Sequence, residues 1–454
     1  MIGALPKLAL AEEEGSDWRE ATPNAGRYGS LLPDPQGYLD LPQGFSYTLL
    51  SQTGQRMSDG LFTPGRPDGM ACFPGPTPTT VTLVRNHELY WNNDGKSPFQ
   101  ENLNPVLPIP REKLYDMHRD GGPCPGGTST VVYDLVQKRV LRSHLSLAGT
   151  LVNCAGGATP WGSWLTCEEL FYGINEGFGK DHGFIFEVPS TEQGLVTPQP
   201  LVDMGRFVHE ATATDPVNGV IYLTEDEDAA SFYRFLPNTL QELSGGGRLQ
   251  VMVLQGDVPA DTRNWPIEQE GLGPNTFPVG RRIPVIWQDV ADPLAREEEL
   301  RFTNTATGAA VFARGEGITL ALDEEGRSIC FACTEGGDQH LGHIFKYHPG
   351  DDADGPGTLE LIYESQENSV LENVDNIAFA PWHDLILCED GSGDNFLRGL
   401  SPRGQVYNIA RNAHPDQSEF CGACFSPDGD TLFINVQEPG FTFAVTGPWD
   451  LVRG

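Results

Sequence analysis

One unit recurs along this chain and limits what it can fold into. A strand opens beside an acid, turns through Asp, Asn, Gly or Pro, and returns as a strand that ends on another acid. The clearest copies are "HEATATDPVNGVIYLTED" at 209–226, "EGITLALDEEGRSICFACTE" at 316–335, "VDNIAFAPWHDLILCED" at 374–390 and "EFCGACFSPDGDTLFINVQE" at 419–438. "PDGMACFPGPTPTTVTLVRNHE" at 67–88 and "CAGGATPWGSWLTCEE" at 154–169 complete six, the latter opening on small residues instead of an acid. The turn residues make each a hairpin, and a hairpin brings its two ends to one sheet edge. Glu210 should therefore lie near Glu225, Glu316 near Glu335, Asp375 near Glu389 and Glu419 near Glu438.

Six such hairpins suit the inner strands of a six-bladed β-propeller, with the acids collected at one mouth of the central channel. The chain carries 53 Gly and 36 Pro yet is 39% hydrophobic, which fits a packed, turn-rich all-β fold rather than disorder. Short helical insertions are expected at 109–120 and at 291–302, where Asp292 and Pro293 read as a helix start. Residues 40–454 read as a single catalytic propeller domain, and 1–39 as an extension holding an export-signal remnant and an arm. No stretch is apolar for long enough to span a membrane.

Sixty-three acids against 29 Lys and Arg give a formal charge of −34, which repels nucleic acid and anionic membranes. Converging carboxylates raise one another's pKa unless cations neutralise them, and their oxygens suit hard ions such as Ca2+. A thiol among them, Cys167 in "WGSWLTCEEL", would suit a softer or redox metal such as iron. Glu88, Glu168, Glu169, Glu210, Glu225, Asp226, Glu316, Glu389 and Glu419 are the candidate carboxylate ligands.

Arg314 lies two residues before Glu316, so on extended backbone both point the same way, and its planar fork could grip phosphate or pair with Glu316. Arg85 should point away from the strand end that carries Asn86 and His87, and His209 could be a ligand, a proton shuttle or a core histidine, the core reading being favoured. "CFAC" at 330–333 and "CGAC" at 421–424 read as core thiols, since residues three apart on a strand face opposite sides. There is no G-x-S-x-G elbow, HExxH helix or phosphate loop. Water or oxide activated by metal is then the economical nucleophile.

"RNHE", "CAGGATPWGSWLTCEE", "GRFVHEA", "YLTEDE", "FARGEGI" and "SEFCGACFSPDGDTLFINVQEPG" together resemble the PhoX-type alkaline phosphatases over roughly residues 40 to 450. That resemblance implies a six-bladed propeller with a binuclear iron (Fe3+) and calcium (Ca2+) ions that hydrolyses small-molecule phosphate monoesters. It also implies Cys167 as the iron thiolate, Glu88, Glu168, Glu169, Glu210, Glu225 and Glu316 as metal ligands, and Arg314 as the phosphate clamp. The catalytic set expected on this basis is Arg314, Cys167 and Glu316, in a monomer working in the periplasm or secreted. The same acids could instead serve a calcium-binding propeller without activity, or a calcium-dependent lactonase that needs neither Cys167 nor Arg314.

Overall fold

A computed structural model describes residues 26–92, 96–99, 109–266, 276–296, 298–323 and 325–449. The protein is all-β and propeller-like. All six expected hairpins form, pairing Pro67–Pro74 with Thr80–His87, Asn153–Ala158 with Ser163–Glu168, and His209–Thr214 with Ile221–Glu225. Gly315–Asp323 pairs with Gly326–Cys333, Val374–Phe379 with Leu385–Glu389, and Phe420–Phe425 with Thr431–Val436. The turns use the expected chemistry. Asp215 accepts the Val217 N–H at 2.9 Å, Asp323 accepts that of Glu325 at 2.9 Å, and Gly429 donates to Ser426 O at 2.8 Å.

The first strands of these hairpins pack side by side around a central cavity, Phe420–Phe425 returning against Pro67–Pro74 to close the ring. The hairpins grow outward into five sheets rather than six separate ones. The reason is Ile283–Asp289, which pairs with Gly247–Leu254 on one side and Gly357–Glu364 on the other, fusing two neighbouring units into a nine-stranded sheet. Ser46–Gln52, from early in the chain, completes the last sheet by pairing with Phe441–Thr446, so distant segments close the fold. Leu31–Leu32 and Leu39–Pro42 extend another sheet through Val406–Asn412.

The helix expected over 291–302 forms only at Leu300–Ala306. Ala295 adopts φ +49° in a turn closed by its N–H to Asp292 O at 3.0 Å, and a right-handed helix cannot run through it. At 109–120 only a 3-10 turn, Arg111–Lys113, appears before Leu114 becomes extended.

Neighbouring first strands approach so closely that small residues are required. A Cβ built at Gly157 would lie 2.0 Å from Thr212 O, and one at Gly317 2.6 Å from Ile377 N. Backbone cannot retreat there without opening the ring. Gly157→Ala should cost about 2 kcal/mol or more, whereas Gly393→Ala, with nothing within 4 Å, should stay within about 0.5 kcal/mol. Urea unfolding midpoints of the two variants check this.

Candidate metal centre

Register decides which acids reach the mouth. The opening pairs are Pro67↔His87, Asn153↔Glu168, His209↔Glu225, Gly315↔Cys333, Val374↔Glu389 and Phe420↔Val436. In the first five hairpins a β-bulge follows at once, setting two residues of the first strand against one of the second. A bulge bends its strand and re-aims a side chain. The first bulge residues are Asp68, Cys154, Glu210, Glu316 and Asp375, and all five line one cavity at the mouth. In the sixth hairpin the bulge comes one residue later, and Glu419, just ahead of the strand, supplies the acid.

The second strands contribute the residue just past each opening pair. Glu88, Glu169, Thr334, Asp390 and Gln437 line the same cavity, and Asp226, at the corresponding place, grips Arg314. The residues inside the opening pairs face the other way, as strand alternation requires. Glu168 accepts from His182 Nδ1 at 2.6 Å and from the N–H groups of Leu151 and Gly183. Glu225 accepts the Ser231 N–H at 2.8 Å and the Tyr233 hydroxyl at 3.1 Å. Glu389 accepts Arg398 Nε at 2.8 Å and the Phe396 N–H at 3.0 Å.

Glu168, Glu225 and Glu389 are thus bonded inside their sheets and do not line this cavity, nor does Cys167. It sits on a second strand, one removed from the axis, buried with Leu165, Ile185 and Leu223. The thiol at the mouth is Cys154, at the position where four other hairpins place a carboxylate. Glu88, Glu169, Glu210, Glu316, Glu419 and Arg314 are where the sequence expects them. Asp68, Asp375, Asp390 and Arg66 join them. The hairpin pattern places Asp375 at the mouth, though not as a ligand, and Asp68 follows the first strand residue as Glu210 and Glu316 do. "CAGGA" hid Cys154 because its thiol stands where the pattern calls for an acid.

The bulge of Cys154 is braced from the neighbouring unit. Asn86 donates to Cys154 O at 3.1 Å and Ala155 O at 2.7 Å, and accepts Trp164 Nε1 at 2.8 Å. Asn435 does the same for Asp68 O at 2.6 Å. Arg85 points away from the mouth, buried against the hydroxyls of Ser51 and Ser129. His209 rests on Phe207 with ring centroids 3.5 Å apart, and burial pushes its pKa down to about 3, so it is a neutral core residue.

Three donor groups form at the mouth, each with its ligand atoms within 4.8 Å of one another. They are Cys154 with Glu169 and Glu210, Asp68 with Glu88 and Glu419, and Glu210 with Glu316 and Asp375. Burial first, and then mutual repulsion, pushes Asp68, Glu169, Glu210, Glu316 and Glu419 well above the usual carboxylate range. Asp375 is raised to about 7 and Asp390 to about 6, burial again leading. Asp68 Oδ1 and Glu210 Oε1 are buried without a hydrogen-bond partner. Buried carboxyl oxygens left in this way fit direct coordination to cations, which would displace the protons.

Arg66 and Arg314 are the cationic side chains of this cavity. Arg66 Nη2 reaches Glu88 at 2.6 Å. Arg314 forks onto Asp226 with Nε and Nη2 each at 2.7 Å, with Glu316 at 3.5 Å and Glu335 at 3.4 Å. Its main partner is therefore Asp226 rather than Glu316. Its side chain remains 36% exposed, so the guanidinium is held in place yet open to a ligand.

The family profile described as alkaline phosphatase PhoX matches residues 26–108 and 121–440. No curated protein matches the sequence significantly. Among solved structures, Pseudomonas fluorescens PhoX in complex with vanadate, a transition-state analogue, aligns with 16% identity and a TM-score of 0.65, covering 90% of this chain and 96% of that one. A gluconolactonase from Xanthomonas campestris aligns with 11% identity and a TM-score of 0.42, covering 89% and 98%.

The raised carboxyls bind protons in the folded protein at pH values where the unfolded chain has released them. Their contribution is therefore complete at acid pH and is lost as pH climbs through about 6 for Asp390 and about 7 for Asp375. Glu389, raised to about 7, and Glu225, raised to about 8, act in the same direction. The melting temperature of chelator-treated protein should fall between about pH 5 and about pH 8, and Ca2+ should reverse the fall. Scanning calorimetry across that range is the check.

Proposed function

Because the chain belongs to the alkaline phosphatase PhoX family, a family of metal-dependent phosphate monoester hydrolases, we propose that the mouth holds its iron and calcium and that Arg314 clamps the phosphate. The observation that carries this reading is the ring itself: one thiol, Cys154, among buried carboxylates, of which Asp68 Oδ1 and Glu210 Oε1 lack a protein partner. The mixed group of Cys154, Glu169 and Glu210 suits iron, since a thiolate prefers a softer or redox metal. The all-oxygen groups, Asp68 with Glu88 and Glu419 and Glu210 with Glu316 and Asp375, suit Ca2+. Glu210 belongs to both kinds and would bridge them. When bound, such ions lower the pKa of water and polarise a phosphoryl oxygen.

The chain's own residues do the positioning. Asp226 holds the Arg314 guanidinium flat by its two-point contact, while Nη1 makes only a 3.4 Å contact to Glu335 that phosphate oxygens would replace at the exposed edge. Arg66, anchored on Glu88, adds a second positive charge across the cavity. The two arginines offset part of the charge a phosphate dianion would meet among so many acids.

We read the architecture as six blades, the nine-stranded sheet being two four-stranded units joined at their rims by Ile283–Asp289. The closed ring of six first strands and the repeated bulge support this count. Among the described residues no helix is long and apolar enough to cross a membrane. We assign the enzyme to the periplasm or the medium, the location typical of the family.

With p-nitrophenyl phosphate, Arg314→Ala should lower kcat/KM about 100-fold, and Arg314→Lys should recover only part of it, because an ammonium cannot fork. Cys154→Ser should lose most bound iron and most turnover, while Cys167→Ser should keep both, measured by elemental analysis beside the assay. The opposite pattern would return the thiolate role to Cys167.

A further inference from the structure

A second cluster lies outside the mouth, where the loops around 116–124 and 178–183 meet the end of Ser163–Glu168. Asp116, Cys124 and His182 are all buried there, at 1%, 0% and 0% exposure, with their ligand atoms within 4.8 Å of one another. His182 Nδ1 lies 2.6 Å from Glu168 Oε1, and Nε2 is turned to Asp116 Oδ2 at 3.2 Å. Glu168 is itself fixed by the N–H groups of Leu151 and Gly183, and Asp116 by those of Gly179 at 2.8 Å and Lys180 at 2.9 Å. The Cys124 thiol interacts with His182 in the same pocket.

The geometry points to a second metal site, separate from the mouth, in which Asp116, Cys124 and Nε2 of His182 hold a single divalent ion of the zinc class. A carboxylate on the far nitrogen of a histidine is the arrangement that orients metal-bound imidazoles and fixes their tautomer. Glu168 stands in that place. Thiolate, imidazole and carboxylate together favour a borderline ion over Ca2+. A water, or the second Asp116 oxygen, would complete four-coordination.

Binding through Nε2 of His182 and the Cys124 thiolate would release any proton those atoms carry, and Glu168 at Nδ1 would hold the imidazole in the tautomer that presents Nε2 to the ion. The ion would rivet both loops to the strand that ends at Glu168, one residue before Glu169.

Cobalt(II) added alone to chelator-treated Cys154→Ser protein tests this, since that background removes the thiol of the mouth. A sulfur-to-cobalt charge-transfer band in the near ultraviolet, saturating at one ion per chain, is expected, and Cys124→Ala in the same background should abolish it. No band in the Cys154→Ser protein, or a band that survives Cys124→Ala, overturns the proposal. If either variant fails to fold, anomalous diffraction from zinc-loaded crystals of the unaltered protein decides. A zinc peak among Asp116, Cys124 and His182 supports the site, and none there overturns it.

Discussion

The structure turns on an electrostatic constraint: Asp68, Glu88, Glu169, Glu210, Glu316, Asp375, Asp390 and Glu419 converge on one cavity that Arg66 and Arg314 can only partly neutralise. Water would normally screen such a set, but Asp68, Glu88, Glu210 and Glu316 are buried. The acids must then either hold protons or hold cations. A propeller-like ring can impose this because each unit is stabilised by its own sheet, far from the axis. Apolar clusters such as the one joining Phe232, Phe312, Phe331 and Phe345 lie in the sheets and pack neighbouring units together.

The convergence is built by backbone rather than by side-chain length. Arg66, Val152, Arg314 and Asn373 each stand one residue before a first strand, and each takes a positive φ between 42° and 53°. A β-branched valine in that region is uncommon and is held there only by its surroundings. The left-handed residue turns the chain into the mouth, and the bulge behind it aims the next side chain at the axis. Arg66 and Arg314, which carry the cavity's positive charge, sit on this same turn, so one device presents both the acids and the arginines.

Much of this was legible in the sequence. Hairpin boundaries, turn residues and the shared mouth followed from Asp-Pro-Val-Asn-Gly, Ser-Pro-Asp-Gly and their relatives, because turn chemistry is local. What was not legible was parity. In "CEE", "TED" and "CED" the acid of the opening pair faces into the sheet and the acid after it faces the axis, so Glu168 and Glu225 were expected at the mouth beside Glu169 and Asp226, and Glu389 in place of Asp390. A one-residue difference in register exchanges the two faces of a strand. Cys167, read from the sequence on the returning strand of its hairpin, does not line the cavity, because the first strands and the residues just past the opening pairs form its wall. Cys154 lay in a run of small residues that looked like packing, and only the bulge shared with Asp68, Glu210, Glu316 and Asp375 shows that it stands at the mouth.

The central claim is that one thiol, Cys154, enters a cluster otherwise made of oxygen ligands. X-ray absorption at the iron edge of the unaltered, metal-loaded enzyme tests it most directly. The account predicts a single sulfur scatterer among oxygens around iron, and its loss on Cys154→Ser. An iron shell of oxygen alone, or a sulfur that survives Cys154→Ser, would contradict it.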